Sequence, residues 1–254
     1  GAVIISQYIG CEDQKNTVKS SSQLLMFSTV FSIIIAIITL IFNRPLLTLL
    51  FGKVENSVME ACVTYLRISA YSYPALAIYN AGAALYRSIG KTSTTMYISL
   101  ISNVINVVGN LIGVFVLDAG VAGVAYPSLI ARTFSAVAIT VLCFSKSRFA
   151  HYSKEWILKW DGPMLKRILN IAIPNGIENG IFQLVKVALS SVVALFGTYQ
   201  IAANGIAQSI WSLAALIGSA MGPVFITVIG QCMGANQVEE ADYYFYKLMK
   251  LTLV

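Results

Sequence analysis

The sequence predicts an all-α membrane protein, folded as a two-lobed helical bundle with six complete membrane spans and two partial ones. Three observations favour this fold class: an apolar composition, long apolar runs, and a polar linker between two similar halves. Hydrophobic residues make up 57% of the 254 residues and charged residues only 11%, against about 25% charged residues in soluble domains. A soluble core cannot bury that much apolar surface, and the runs are too long and uninterrupted for the alternating strands of a membrane barrel.

The apolar runs define the predicted spans, because a complete helical span needs about 20 apolar residues. The six candidate spans are 24–51, 58–86, 94–117, 120–144, 165–196 and 200–233. Residues 1–10 have the pattern of the end of another span, and residues 240–254 have that of the start of one. We therefore expect the chain to be an excerpt of a longer bundle.

Lysine and arginine are distributed unequally between the predicted loops. Twelve of them fall on one side of the membrane, namely Lys15, Lys19, Arg87, Lys91, Lys146, Arg148, Lys154, Lys159, Lys166, Arg167, Lys247 and Lys250. The other side has Arg44 and Lys53. Because basic residues mark cytoplasmic loops, this asymmetry predicts that the loops at 87–93 and 145–165 are cytoplasmic. It also accounts for the net charge of +6 without any binding of nucleic acid.

One long polar connection divides the sequence into two halves. The predicted parts are an N-terminal lobe at 1–145 that lacks its first helix, a cytoplasmic or interfacial linker at 146–162, and a truncated C-terminal lobe at 163–254. In the linker, Trp156 and Trp160 alternate with lysines, as expected of a segment at the lipid headgroups. Asp161 is placed to cap the helix that follows.

A short internal repeat supports this division. Residues 5–10 read ISQYIG and residues 229–234 read IGQCMG. Each copy places glutamine and glycine at the cytoplasmic end of a predicted span. Paired halves recur in secondary transporters, so the repeat favours that class of protein.

Several short motifs occur in a characteristic order. They are Gln7 with Gly10, Tyr65-Leu66-Arg67-Ile68, Arg87-Ser88-Ile89-Gly90-Lys91-Thr92, Asn103 with Asn106, Gly120 with Gly123, Arg132, and the stretches AIPNGIENGIFQ and QIAANGIAQSIWSL. Together they resemble the multidrug and toxic compound extrusion (MATE) transporters. The resemblance covers essentially the whole chain, from the end of the family's second helix to the start of its ninth.

The resemblance implies a secondary active antiporter that exports organic cations or amphipathic drugs in exchange for protons or sodium ions, by alternating access of two lobes. It implies a small-molecule substrate, no cofactor besides the coupling ion, and a multi-pass location in the plasma membrane. The expected surroundings are the lipid bilayer, with no nucleic acid, and we expect a monomer at full length. In part of the family the first helix carries an acidic residue central to cation coupling, and no position of this chain matches it.

The predicted span at 165–196 has one polar face. Its members lie within about 140° of arc at 100° per residue and are Asn175, Glu178, Asn179, Gln183 and Lys186. An ionisable group at the bilayer centre costs roughly 2.5–3.5 kcal/mol on insertion scales, so this face must line a cavity or another helix. Glu178 would attract a cation or take up a proton. Lys186, about 12 Å away along the axis, would neutralise Glu178 through a neighbouring helix or favour an anionic or zwitterionic substrate.

Other predicted spans contribute further candidates for substrate or ion binding. They are Asn103, Asn106, Arg132, Asn204 and Gln208. The asparagines and the glutamine either hydrogen bond between helices or line a cavity. Arg132 is either a buried structural clamp or a substrate contact, and Pro174 is either a hinge or a static kink.

Two other functions stay open at this point. A flippase for lipid-linked oligosaccharides would have a more cationic cavity, which Arg132 and Lys186 alone support. A non-transporting membrane fragment or scaffold is the second alternative. An enzyme is not expected, because the sequence has no HExxH, GxSxG or Walker motif and no paired carboxylates. The four cysteines are isolated and there is one histidine, so no metal site is expected.

Overall fold

The computed structural model describes residues 1–51, 56–145, 150–194, 196 and 198–253. Within these ranges the regular structure is helical throughout, which confirms the predicted all-α class. The helices are α1 (Ala2–Gly10), α2 (Gln14–Ile41), α3 (Asn43–Phe51), α4 (Asn56–Tyr71), α5 (Tyr73–Ser88), α6 (Thr92–Leu111), α7 (Ala122–Cys143), α8 (Lys154–Leu158), α9 (Gly162–Ala194), α10 (Thr198–Ala214), α11 (Leu216–Gly234) and α12 (Val238–Leu253).

Four helical stretches in the described ranges are long and apolar enough to cross a membrane. They are Gln14–Ile41, Thr92–Val116, Ala122–Cys143 and Ala203–Gly234. The predicted span at 58–86 is divided into α4 and α5, each 16 residues long, which is shorter than a bilayer requires. Helix α9 has 33 residues, but its polar face makes it less apolar than the other four. The predicted count of six complete spans is therefore not established by length and composition.

Helix α2 begins ten residues before the predicted start of its span. Asp13 caps it, because its carboxylate accepts a hydrogen bond of 3.0 Å from the Asn16 amide. The polar first turns stay helical because their hydroxyl groups donate to preceding carbonyl oxygens, as Ser21 does to Thr17 at 2.7 Å. The prediction of one span to residue 51 is wrong, since α2 ends at Ile41 and α3 begins at Asn43.

The break between α4 and α5 is stabilised by an arginine from another helix. Ser72 separates the two helices and is fully buried, and Pro74 lies in the first turn of α5. Arg132 of α7 donates a hydrogen bond of 2.6 Å to the Ser72 hydroxyl, and that hydroxyl donates to the Ser69 carbonyl oxygen at 2.7 Å. The guanidinium group thus supplies a polar partner at a point where the helix is interrupted.

Helix α6 continues into a π-helical turn at Ile112–Val116, a feature that is frequent near functional sites. There the backbone of Gly113 touches that of Gly123 at the start of α7. A Cβ atom on either glycine would overlap the other's carbonyl group. The two glycines therefore allow the backbones of α6 and α7 to approach closely.

The helices pack in two groups that meet at the predicted cytoplasmic ends. In the first group α5 and α7 pack together, α2 lies against α5 and α6 lies against α7. Its core includes the fully buried Tyr86 and Ile139. In the second group α10 packs on α9, and α12 packs on α11. Helix α1 packs on α2 and α5 of the first group and on α11 of the second, and its contact with α11 is the most extensive one between the groups. The predicted lobe boundaries stay a prediction.

The end of the predicted linker is held against α2 by a buried glutamine. The Gln23 side-chain amide donates to the carbonyl oxygens of Trp156 and Lys159, both at 2.6 Å. Its carbonyl oxygen accepts from the Asp161 amide at 3.2 Å. Trp156 is half-buried beneath the Lys19 ammonium, whereas Trp160 is exposed. Linker residues 146–149 and the predicted external residue Lys53 lie outside the described residues.

Asp161 caps α9, as the sequence predicts, and also forms an ion pair. Its carboxylate accepts a hydrogen bond of 2.8 Å from the Met164 amide and lies 2.5 Å from the Lys19 ammonium. The hydrogen bond from Lys19, followed by that from Met164, lowers the pKa of Asp161 below its ordinary value of 3.8. The ionised form is therefore the one that the fold stabilises.

We expect Asp161→Ala to lower the free energy of unfolding by about 1 kcal/mol, as loss of a helix cap typically does. Because the folded pKa is the lower one, this stabilisation is present above pH 3.8 and is lost as the pH falls through the folded value. Thermal unfolding of the purified protein in detergent at several pH values measures the effect. Asp161→Asn, which keeps a capping side chain, is the control for the charge. A stability difference between Asp161 and Asp161→Asn that is independent of pH would contradict this account.

Candidate functional site

The polar face of α9 is exposed over most of its length. Asn175, Glu178, Asn179 and Gln183 are all exposed in a helix whose side chains are exposed from residue 170 to residue 185. Asn179 donates to the Asn175 carbonyl oxygen at 2.8 Å and to its side-chain oxygen at 2.6 Å. Helix α9 is continuous through Pro174. An uninterrupted helix thus presents a row of amide groups with one carboxylate among them.

Glu178 is the acidic member of this row. Among the described residues no ion pair involves its carboxylate; the three pairs found join Lys19 to Asp161, Arg44 to Glu60, and Lys159 to Glu155. A buried ion pair between Glu178 and Arg132 is not formed, because Arg132 donates to Ser72 instead. The carboxylate is therefore accessible to a ligand.

Lys186 contacts an aromatic ring of its own helix and one of α10. Its ammonium lies 5.0 Å from the centre of the Phe182 ring and 5.2 Å from that of the Trp211 ring. The side chain is half-buried, which favours a cation–π interaction. The expectation that Lys186 neutralises Glu178 through another helix is wrong for this structure, since its neighbours are aromatic rings.

Helix α10 lies beside α9 and contributes the second wall of the candidate site. Asn204 and Gln208 are half-buried and lie about two turns and one turn, respectively, before Trp211 on the same face of α10. Because Trp211 contacts Lys186, this face is directed towards α9. Lys186 of the α9 polar face thus meets the face of α10 that carries Asn204 and Gln208. That the two faces form one binding site stays a prediction.

A second polar cluster lies between α6 and α7. Asn106 donates to the Ser128 hydroxyl at 3.0 Å, and Asn110 donates to the Asn106 side-chain oxygen at 3.1 Å. The side-chain oxygen of Asn110 is buried with no hydrogen-bond partner among the described residues. Asn103, by contrast, is exposed. Of the two predicted asparagines, Asn106 thus forms a hydrogen bond between helices, whereas Asn103 lies on the surface.

The two polar clusters belong to different helix pairs. Helix α9 packs on α2 and α10, whereas α6 packs on α7 and α5. Arg132 belongs to neither cluster, because its guanidinium group binds at the α4–α5 break. The structure therefore places the predicted binding residues in two separate clusters, whereas the sequence offered them as one set of candidates.

Comparison with known proteins assigns the chain to a family. Residues 1–112 and 174–254 match the family model described as MatE, and together these segments make up more than half of the chain. The chain belongs to the MatE family. The first matched segment contains Asn106 and Asn110, and the second contains the α9 and α10 residues. Arg132 lies between the matched segments.

Two relatives show the extent of the similarity. The chain is 25% identical over 246 residues to the probable multidrug resistance protein YoeA of Bacillus subtilis (strain 168), which covers 94% of this chain and 52% of that protein. It is 29% identical over 255 residues to the probable multidrug resistance protein NorM of Halalkalibacterium halodurans, covering 95% of this chain and 53% of that protein. The chain thus spans about half the length of the curated relatives it matches.

A solved structure shows the same fold. It is the outward-facing conformation of a multidrug resistance MATE family transporter of the MOP superfamily, with a TM-score of 0.83 and 19% identity over 98% of this chain and 56% of that one. The MatE fold of this integral membrane protein is thereby established.

The contact between α1 and α11, and the roles of Gln23 and Ser72, were not expected from the sequence. The glutamine and glycine repeated at 5–10 and 229–234 were the sequence feature that could have indicated the contact between α1 and α11.

Proposed function

We propose that this MatE protein is a secondary active antiporter that exports organic cations or amphipathic drugs in exchange for protons or sodium ions. The observation that carries the proposal is the exposed carboxylate of Glu178 in a row of amides on α9. A polar face of this kind within an apolar bundle is suited to a water-filled cleft and not to lipid. The names of the relatives, which describe multidrug resistance proteins, agree with this substrate class.

The proposed transport cycle is alternating access of two lobes, at 1–145 and 163–254. The bundle would have six complete spans and two partial ones, with α4 and α5 together forming one span broken at Ser72. In the structure the described contacts between the two helix groups lie near the ends that the charge pattern assigns to the cytoplasm. Helix α9 is exposed beyond its first turns. Because the two helix groups meet at these ends, the proposed cleft opens to the outside, in a multi-pass protein of the plasma membrane.

The proposed substrate site lies between α9 and α10. Glu178 would bind the positive charge of the substrate, and Asn175, Asn179 and Gln183 would donate or accept hydrogen bonds. The Trp211 ring offers apolar contact area, because it is still 54% exposed while it contacts Lys186. A charged group, several amides and an aromatic ring are the usual elements of a small-molecule site.

The proposed ion site is the cluster of Asn106, Asn110 and Ser128. Its oxygen atoms are of the kind that bind sodium ions or hydrated protons, and the Asn110 side-chain oxygen has an unused acceptor position. The identity of the ion is left as a proton or a sodium ion. The flippase alternative is weakened, because Lys186 and Arg132, the cations that favoured it, are engaged by aromatic rings and by Ser72.

Efflux of the fluorescent cation ethidium from cells that lack their own exporters tests the proposal. We expect cells that express the protein from its complete reading frame to retain several-fold less ethidium than cells with an empty vector. Dissipating the proton gradient with a protonophore, or replacing sodium by potassium, should abolish the difference and thereby identify the coupling ion. Equal ethidium retention in both cell lines, with the protein present in the membrane, would refute the proposed antiport.

A further inference from the structure

Two aromatic rings lie close to the ammonium group of Lys186. The ammonium nitrogen is 5.0 Å from the centre of the Phe182 ring, one turn earlier on α9, and 5.2 Å from that of the Trp211 ring on α10. Both distances are within the roughly 6 Å over which a cation is attracted to the face of an aromatic ring. We call Phe182 and Trp211 the aromatic box. A cation already occupies this box, and it belongs to the protein itself.

Lys186 has no anionic partner among the described residues, where the three ion pairs join other side chains. Lys19 differs in this respect, because its ammonium lies 4.8 Å from the centre of the Trp156 ring and also pairs with Asp161. A lysine side chain is a flexible four-carbon stem that carries a compact charge. The Lys186 ammonium can therefore leave the two rings without breaking a described ion pair.

The two rings are accessible beside Lys186, since Phe182 is 55% exposed and Trp211 is 54% exposed. A lysine ammonium is strongly hydrated, and it gives up water when it lies against a ring. An organic cation with a dispersed charge gives up less hydration, and it adds apolar contact with both rings. The aromatic box is therefore better suited to an organic cation than to the lysine that occupies it.

The aromatic box lies further along α9 than the carboxylate of Glu178. Lys186 follows Glu178 by eight residues, which corresponds to about 12 Å along the helix axis. Because α9 begins at the linker that the charge pattern assigns to the cytoplasm, the box is on the external side of Glu178. An exported cation that leaves Glu178 would meet the box on its way out.

We propose that Phe182 and Trp211 form a second cation-binding station at the outer end of the proposed substrate site, and that Lys186 is its built-in competitor. The inference rests on the proposed antiport and assigns one of its steps. An arriving organic cation displaces the Lys186 ammonium from the rings, and the returning ammonium displaces that cation towards the outside. Because the lysine is tethered, its effective concentration at the rings is on the order of millimolar. The station therefore selects permanently charged cations with large apolar surfaces, since these bind the rings tightly enough to compete.

Binding of radiolabelled tetraphenylphosphonium to the purified full-length protein tests the station. The measurements use a Glu178→Gln background, so that the cation is measured at the rings. We expect Lys186→Met, which removes the competing charge, to lower the dissociation constant about tenfold. Lys247→Met is the matched control and should leave the constant unchanged, since the Lys247 ammonium lies 5.6 Å from the centre of another ring, that of Tyr243 on α12. An unchanged constant in Lys186→Met would overturn the proposal.

Two further variants separate competition at the rings from simple charge repulsion. Removing a positive charge favours cation binding at any nearby site, whether or not aromatic rings take part. If the rings bind the cation, adding Phe182→Leu to Lys186→Met should reverse the tenfold gain, and a gain that survives would refute the station. Lys186→Arg retains a cation that stacks on aromatic rings, so its dissociation constant should equal or exceed that of the parent protein. Tighter binding by Lys186→Arg would contradict competition at the rings.

Ethidium efflux separates a failure of this inference from a failure of the antiport. We expect Lys186→Met to export ethidium several-fold more slowly than the unaltered protein, because the bound cation leaves the rings more slowly. Equal or faster export would refute the release step assigned to Lys186. Tighter tetraphenylphosphonium binding by Lys186→Met, in a protein that exports no ethidium, would refute the antiport and support the station. Export that depends on Glu178, with unaltered binding by Lys186→Met, would refute the station and leave the antiport standing.

Discussion

Replacing Glu178 by glutamine is expected to reduce ion-driven export by tenfold or more while leaving the protein folded. Glutamine has nearly the same shape and removes only the charge. A hydrogen bond to a charged group contributes roughly 1.5–3 kcal/mol, which corresponds to about tenfold or more in binding. Because Glu178 is exposed and has no ion pair among the described residues, no counter-ion would be left unpaired in the fold.

The measurement combines ethidium efflux with the thermal stability of the purified protein. Glu239→Gln is the matched control, since Glu239 is an exposed glutamate in the first turn of α12. A structural role for Glu178 would appear as a lower unfolding temperature. Leaving a buried charged partner unpaired lowers the free energy of unfolding by about 3–5 kcal/mol. A Glu178→Gln protein that exports at the original rate, with the original pH and sodium dependence, would eliminate Glu178 from the transport site.

Replacing Gln23 by leucine is expected to destabilise the fold by about 3 kcal/mol. The leucine side chain is similar in size but makes none of the three hydrogen bonds to the linker backbone. A buried polar group without a partner costs roughly 1–3 kcal/mol, and Gln23 is fully buried. The peptide groups of Trp156, Lys159 and Asp161 would have to be hydrated or displaced.

Thermal unfolding of the protein in detergent measures this effect. Gln14→Leu is the control, because Gln14 lies at the exposed start of the same helix. Gln23→Glu is an intermediate case, since a carboxylate retains the acceptor for the Asp161 amide but loses both donors. Equal unfolding temperatures for Gln23→Leu and Gln14→Leu would show that the linker does not depend on Gln23.

The sequence was sufficient for the helical class and for the angular positions of the polar residues on α9. Apolar runs and the 100° rotation per residue follow from local geometry, so α9 has its amides on one side as predicted. Partners across helices were not predictable in this way. The ends of a side chain as long as Lys186 or Arg132 can reach several neighbouring helices. Only the packed structure shows that Lys186 meets Phe182 and Trp211 and that Arg132 meets Ser72.

Helix interruptions were a further limit. Hydropathy does not distinguish a continuous span from two helices that meet at one residue, because the residues at the break are themselves apolar or small. The break at Ser72 is stabilised by an arginine 60 residues away in the sequence, and the early start of α2 depends on hydroxyl groups that bond within the helix. Both features arise from hydrogen bonds that leave no periodic signal. The repeat at 5–10 and 229–234 was visible, but its meaning as a contact was not.

The two copies of the repeat lie on α1 and α11, which contact each other, and this has a consequence for how the two halves can diverge. In a symmetric dimer one gene encodes both sides of such an interface, so every substitution occurs twice. Here the two sides are encoded separately, and each has acquired its own neighbours: Tyr8 accepts a hydrogen bond from Arg167, whereas its aligned counterpart is Cys232. Because one chain holds both copies at different positions, a substitution in one flank leaves the other flank unchanged, and the neighbours of α1 and α11 can differ.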